Sequence, residues 1–168
     1  MVRIIVALVA LLAASSAQAD WQYRRWGMTV EELLASGKGI STIDQQEAAR
    51  QRLGSNLGSP VARADVTNDL RFTAYFFLRN GTLAGVRLVG SPDQKYEIQG
   101  QLERTYGKPL QTQNDAIPGN CRILSSTWRD EPGKNSIMFS AMACLPSQAM
   151  GSAAVLYQPL LSKRDSGL

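Results

Sequence analysis

The sequence predicts an α+β protein: a mostly antiparallel sheet with two helices on one face, in an order of roughly αβββ-αβββ. Three observations carry that prediction. Asn80-Gly81 separates two apolar runs, and Glu131-Pro-Gly-Lys134 separates two more. Two further segments open on helix-capping sequences, Thr29-Val-Glu-Glu32 and Ser91-Pro-Asp-Gln94. Hairpins force neighbouring strands to run antiparallel, and two amphipathic helices can roof one face of such a sheet.

The chain opens on MVRIIVALVALLAASSAQA. Arg3 is a short basic start, Ile4 to Ala14 is unbroken and apolar, and Ala17-Gln18-Ala19 is a small-x-small cleavage site. This reads as an export signal over residues 1–19. The apolar run falls well short of the roughly 20 residues a spanning helix needs. No cysteine follows the cleavage site, so no stable membrane anchor is expected after processing. A periplasmic or secreted location follows, with a single domain over 20–161 and a disordered tail over 162–168.

Within the domain, Asp20-Trp-Gln-Tyr-Arg-Arg-Trp-Gly-Met-Thr29 interleaves aromatic and basic residues. We read the aromatics as anchors leading into a helix rather than as a basic-aromatic binding patch. Thr29 and Glu32 form a capping box, with Met28 and Leu33 as its hydrophobic staple. Gly37 and Gly39 end that helix. Asp44 to Leu53 has helix-forming residues but little apolar periodicity, and predicts a short exposed helix or a mobile loop. Val61 to Val66 is a strand before the Thr67-Asn68-Asp69 turn.

Phe72–Arg79 and Thr82–Val89 form a hairpin on Asn80-Gly81, since a type I′ turn needs positive φ at both central residues. That turn pairs Arg79 with Thr82, Phe77 with Ala84 and Tyr75 with Val86. Ser91 then caps a second helix, with Pro92 in its first position and Gln94 closing the box. Ile98, Leu102 and Tyr106 share one helical face, and Gly107 with Pro109 stops the helix.

Cys121–Arg129 and Ser136–Leu145 form the second hairpin around a four-residue loop. Counting back along both strands from that loop sets Cys121 directly opposite Cys144. An even cysteine count in an oxidising compartment agrees with a disulfide there. It would stabilise the fold by about 3 kcal/mol in the chain-entropy model. Ala153 to Tyr157 is the final strand.

The chain carries 18 Lys and Arg against 14 Asp and Glu, a formal net charge of +4; loss of Arg3 with the leader lowers it by one. The bases are scattered, so the charge reads as solubility and nucleic acid is not an expected partner. The chain has no histidine. That excludes Ser-His-Asp and Cys-His catalysis and every His-ligated zinc site. Glu31-Glu32 reads as helix-start charge and Asp130-Glu131 as a turn. Asp65-x-x-x-Asp69 lacks the further oxygens of a calcium loop. No catalytic residue, cofactor or metal is expected.

Trp26-Gly-Met-Thr29 with Glu32, Asn80-Gly81-x-Leu83, and Leu102-x-x-x-Tyr106-Gly107-x-Pro109 resemble a group of small exported bacterial proteins of uncharacterised function. The shape is similar to beta-lactamase inhibitor proteins and to the small lipoproteins of outer-membrane protein assembly. Both are built from helix-plus-sheet units, and the resemblance implies binding rather than catalysis.

The first hairpin is apolar on both sides. Tyr75, Phe77, Ala84, Val86 and Leu88 lie on one side, and Phe72, Phe76, Leu78, Leu83 and Arg87 on the other. A sheet with one face in water alternates more cleanly. Residues 40–59 or the N-terminal segment would cover the second side, or a partner would, or a second copy of the chain using the same face. For the partner alternative the expected surface is Phe72, Phe76, Arg87, Met138 and Met142, where Met side chains adapt to shape. The expected function is therefore an exported, non-enzymatic binding protein that uses a sheet face to hold an envelope protein or apolar ligand. A small-molecule or lipid carrier is the alternative, and a histidine-free hydrolase a weaker one.

Overall fold

A computed structural model of the chain describes residues 20–21, 24–37, 39–54, 57–67, 69–144 and 151–160. The expected leader and the tail over 162–168 lie outside them. Ten strands and three α-helices follow in chain order. They are β1 (Asp20–Trp21), β2 (Arg24–Arg25), α1 (Val30–Ala35), β3 (Ser41–Thr42), α2 (Gln45–Arg50), β4 (Pro60–Thr67), β5 (Arg71–Arg79) and β6 (Thr82–Gly90). A 3-10 turn, Pro92–Gln94, leads into α3 (Lys95–Tyr106), β7 (Gln111–Ile117), β8 (Cys121–Asp130), β9 (Asn135–Cys144) and β10 (Ser152–Pro159). β1 and β2 form a separate ribbon; the other eight strands make one antiparallel sheet, ordered β3-β4-β5-β6-β10-β9-β8-β7.

The α+β class holds. The observed order has an additional short strand and helix before β4, and a fourth strand after α3. The chain leaves β6, passes through α3 to the far edge at β7, and returns strand by strand. β10 then closes the gap, pairing with both β6 and β9.

Local chemistry accounts for most of these elements. The Thr29 hydroxyl accepts from the Glu32 amide at 3.3 Å, and the Glu32 carboxylate accepts from the Thr29 amide at 2.9 Å. The capping box is complete. Asp44 caps α2 by accepting from the Glu47 amide at 2.8 Å. Ser91 differs from expectation: it makes no side-chain cap, its hydroxyl donates to Asp93, and a 3-10 turn stands where the first α-turn was expected. Proline at the next position suits that tight start. Asn80 and Gly81 take φ of 53° and 79°, as a type I′ turn requires.

The second hairpin pairs in the expected register, from Asp130↔Asn135 back to Cys121↔Cys144. The two sulfur atoms lie 2.00 Å apart, with Cα atoms at 4.0 Å. In the first hairpin the register slips between Phe77 and Leu78. Arg79 pairs with Thr82 as expected, but Phe77 pairs with Gly85 and Tyr75 with Arg87. Ala84 is the extra residue of a β-bulge.

That bulge resolves which side of the hairpin is which. Leu83, Val86 and Leu88 now face one way, although Leu83 and Val86 are three residues apart. They join Ala74, Phe76, Ile137, Phe139 and Val155 under Leu33 of α1 and Ile98 and Leu102 of α3. We call this face A; it holds the main core. Each fully buried large side chain there contributes about 1.5–3 kcal/mol. Face B carries Tyr75, Phe77 and Leu156, and residues 43–54 with Leu57 fold over it through Ile43, Leu53 and Leu57.

Trp26 performs the anchoring role expected of it. It packs against the face A core, and its indole N–H donates to the Asn135 side-chain oxygen at 2.9 Å. The Gly27 amide donates to the Leu83 carbonyl at 3.0 Å, and the Met28 carbonyl accepts from the Leu83 amide at 2.7 Å. The side chains of Trp21 and Tyr23 lie outside what is described.

Candidate binding face

Face B divides into two halves. Over β4, β5 and β6 it is covered by residues 43–54 and Leu57. Glu47 of α2 accepts from Arg63 at 2.9 Å and from the Tyr75 hydroxyl at 3.0 Å. Gln51 accepts from Arg87 at 3.3 Å. The Glu47 carboxylate holds the Arg63 guanidinium above its ordinary pKa, chiefly by this hydrogen bond. Burial lowers the pKa of Arg87 and raises that of Tyr75. This polar layer seats α2, and beneath it Leu57 closes over Phe77 and Leu156.

Past β10 the cover stops among the described residues. Leu156 pairs on one side with Arg87 and on the other with Met138. Met138 is 43 % exposed, against 9 % for Leu156 beside it. The open half runs over Met138, Ser140 and Met142 of β9, then Ile123, Ser125 and Thr127 of β8, then Gln111, Gln113 and Asp115 of β7. Its chemistry is three apolar side chains set among hydroxyls, amides and the one carboxylate of Asp115. A face of this kind can wrap a flexible methionine around a ligand and orient it with neutral hydrogen bonds.

Of the five residues expected as a partner surface, two lie on this open half: Met138 and Met142. Three need correction. Phe76 is fully buried in the face A core. Phe72 is half-buried against the same core. Arg87 lies on face B under α2, bonded to Gln51. For Arg87 the bulge at Ala84 is the physical reason: it shifts β6 by one residue, which exchanges the faces of Val86 and Arg87 relative to strict alternation. Phe72 and Phe76 lie on β5, whose alternation is undisturbed, and are buried because theirs is the side that packs against α1 and α3. Described residues between 43 and 57 do cover the hairpin, but on the side of Tyr75 and Phe77 rather than on that of Phe72 and Phe76.

β7 and its turn escaped the sequence reading. Gln-Thr-Gln-Asn-Asp-Ala-Ile has neither apolar alternation nor β-branched enrichment. The available signal was Pro118-Gly119-Asn120, where Gly119 and Asn120 take φ of 90° and 58°.

Two open recesses flank the sheet. One, about 660 Å³, is lined by Asp65, Arg71, Phe72, Thr73, Ser91 and Asp93 among others. A hydrogen bond from Ser91 holds the Asp93 carboxyl below its ordinary pKa. The other, about 390 Å³, lies near the disulfide between Lys95, Ala116, Ile117, Arg122 and Ala143. Among the described residues no group of three or more Cys, Asp or Glu could hold a metal ion. No described helix is long and apolar enough to cross a membrane.

No protein-family model matches the chain, and no curated protein and no solved structure matches it significantly. The residues and their geometry therefore carry the functional reading alone.

Proposed function

We propose that the chain is exported and that its domain acts by binding, without catalysis, through the open half of face B. The observation that carries the reading is the contrast along one sheet face. Tyr75, Phe77 and Leu156 are roofed by residues 43–54 and Leu57, whereas Met138, in the next strand, stands exposed. Covering that half with a partner buries Met138, Met142 and Ile123 at about 25 cal/mol per Å² of apolar area removed from water. The disulfide fits an oxidising compartment. A histidine-free chain, with no metal-holding group of acidic side chains among the described residues, is consistent with binding as the whole activity.

A photo-reactive side chain placed at Met138 should capture a partner in envelope extracts, while the same group at Glu103, on the exposed side of α3, should not. Met138→Asp in the intact protein should abolish partner pull-down with little change in thermal midpoint, because the side chain is half in water already. Capture of the same species from both positions, or from neither, would overturn the reading.

The second recess favours one other reading, that of a carrier. Lys95 and Arg122 beside Ile117 and Ala143 suit a small amphipathic anion. Native mass spectrometry of protein purified from the envelope should then find a bound species that Arg122→Glu removes.

A further inference from the structure

β7 is the end strand of the sheet, and its outer side is unprotected among the described residues. The opposite end, β3, is only two residues long, a length that offers little to pair with. β7 runs seven residues in unbroken register against β8. It holds no proline, no lysine and no bulge, and of the devices by which edges are usually blunted it carries one charge, Asp115.

The direction of its free backbone groups follows from the ladder. The Thr127 carbonyl takes the Leu110 amide at 2.8 Å, so Thr127 faces β7 with its backbone. The short Cα separation of Cys121 and Cys144 marks a non-hydrogen-bonded pair toward β9. Cys121 therefore also turns its backbone toward β7. Their partners Gln111 and Ile117, and with them Gln113 and Asp115, bond inward to β8. The N–H and C=O groups of Thr112, Asn114 and Ala116 are left pointing outward.

We propose that this edge pairs with the same edge of a second copy of the chain, antiparallel about a two-fold axis through Asn114. Three features select that occupant and register. First, the outward-facing residues match one another: Thr112 meets Ala116 of the second copy, and Asn114 meets its own equivalent, so every free backbone group is paired. Second, the one charge in the strand is accommodated. Asp115 falls opposite Gln113 of the second copy, whose amide donates to the carboxylate, whereas a pairing centred on Asp115 would oppose two carboxylates. Third, Leu110 is 72 % exposed immediately before the strand. In the Asn114-centred register it comes beside Pro118 of the second copy, where both are covered. The side-chain amides of Gln111, Gln113 and Asn114 each donate and accept, which suits self-pairing. The assembly is a closed dimer because the axis is two-fold.

Light scattering and sedimentation of the processed, disulfide-bonded protein test this. The expected result is twice the chain mass at micromolar concentration, dissociating on dilution. Asn114→Lys sets two ammonium groups against each other on the axis, and should raise the dissociation constant at least tenfold, with partial recovery in high salt. Asn114→Pro, which deletes an outward amide only, should give a monomer. Near-parental circular dichroism of Asn114→Lys keeps the result interpretable should the proline variant not fold. A monomeric parent protein, or a dimer that Asn114→Lys leaves as tight, would overturn the proposal. Neither outcome bears on the Met138 capture experiment, so this inference and the binding-face reading fail separately.

Discussion

Tyr157 shows what one buried hydroxyl does to the pH range of the fold. It lies in β10 at 8 % exposure, facing the main core. Burial pushes its pKa far above the ordinary tyrosine value, and the neighbouring Tyr106 pushes it further. Burial raises Tyr106 as well. The fold therefore holds both protons more tightly than the unfolded chain does. Their contribution to stability is complete below the ordinary tyrosine pKa of about 10 and is lost as pH climbs beyond it. Urea midpoints should be insensitive to these groups up to about pH 9 and fall steeply above pH 10. In Tyr157→Phe that alkaline fall should be shallower, with Tyr106 and Tyr75 supplying what remains. An equally steep fall in the variant would remove Tyr157 from the account.

The covering segment depends at the level of elements on one residue without a side chain. Gly85 of β6 is buried, and a Cβ there would lie 3.1 and 3.2 Å from the two terminal methyls of Leu57. Gly85→Val fills the seat of Leu57 and should destabilise by about 1–3 kcal/mol, as overpacking does. It should also raise binding of an apolar dye, because Leu57 is the side chain that closes over Phe77. Gly81→Ala makes a control: its cost is backbone strain at φ of 79°, without dye binding. Sequence made the elements around this contact legible to differing degrees. Both hairpin turns, the Thr29 box, the helical face of Ile98 and Leu102, and the cysteine pairing were readable, because each rests on contacts a few residues apart or on simple counting. The β6 bulge was not. Ala84 has no residue-level mark of a bulge, and the shift arises where β6 exchanges β10 for Gly27–Thr29 as its neighbour. β7 was hidden for the same kind of reason. Its strand state comes from the β8 ladder rather than from its own composition. The candidate site was accordingly half legible: Met138 and Met142 lay on an undisturbed strand, Arg87 was assigned through a register that the bulge altered, and for Phe72 and Phe76 nothing local says which side of β5 the helices cover.

Across the whole molecule, β10 is the joint. It pairs with β6 through Ala153–Tyr157 and with β9 through Ser152–Pro159. Val155 carries the face A core across that seam, and Leu156 ends the covered part of face B. Unfolding should therefore be a single cooperative event. Tryptophan fluorescence, reporting on Trp21, Trp26 and Trp128, should give the same urea midpoint as far-ultraviolet circular dichroism, which reports on all strands. Two separated transitions would mean that β4–β6 and β7–β9 hold together independently of β10.

The position of that joint in the chain constrains biogenesis. A ribosome or a translocase delivers Ser152–Pro159 after every other strand of the sheet. Until it arrives, β6 and β9 each lack a neighbour, and two apolar edges stand ready to adhere to any extended polypeptide nearby. The interval just before completion is thus the hazardous one for this chain, and a nascent product stalled ahead of Ser152 should be the form that a holdase retains.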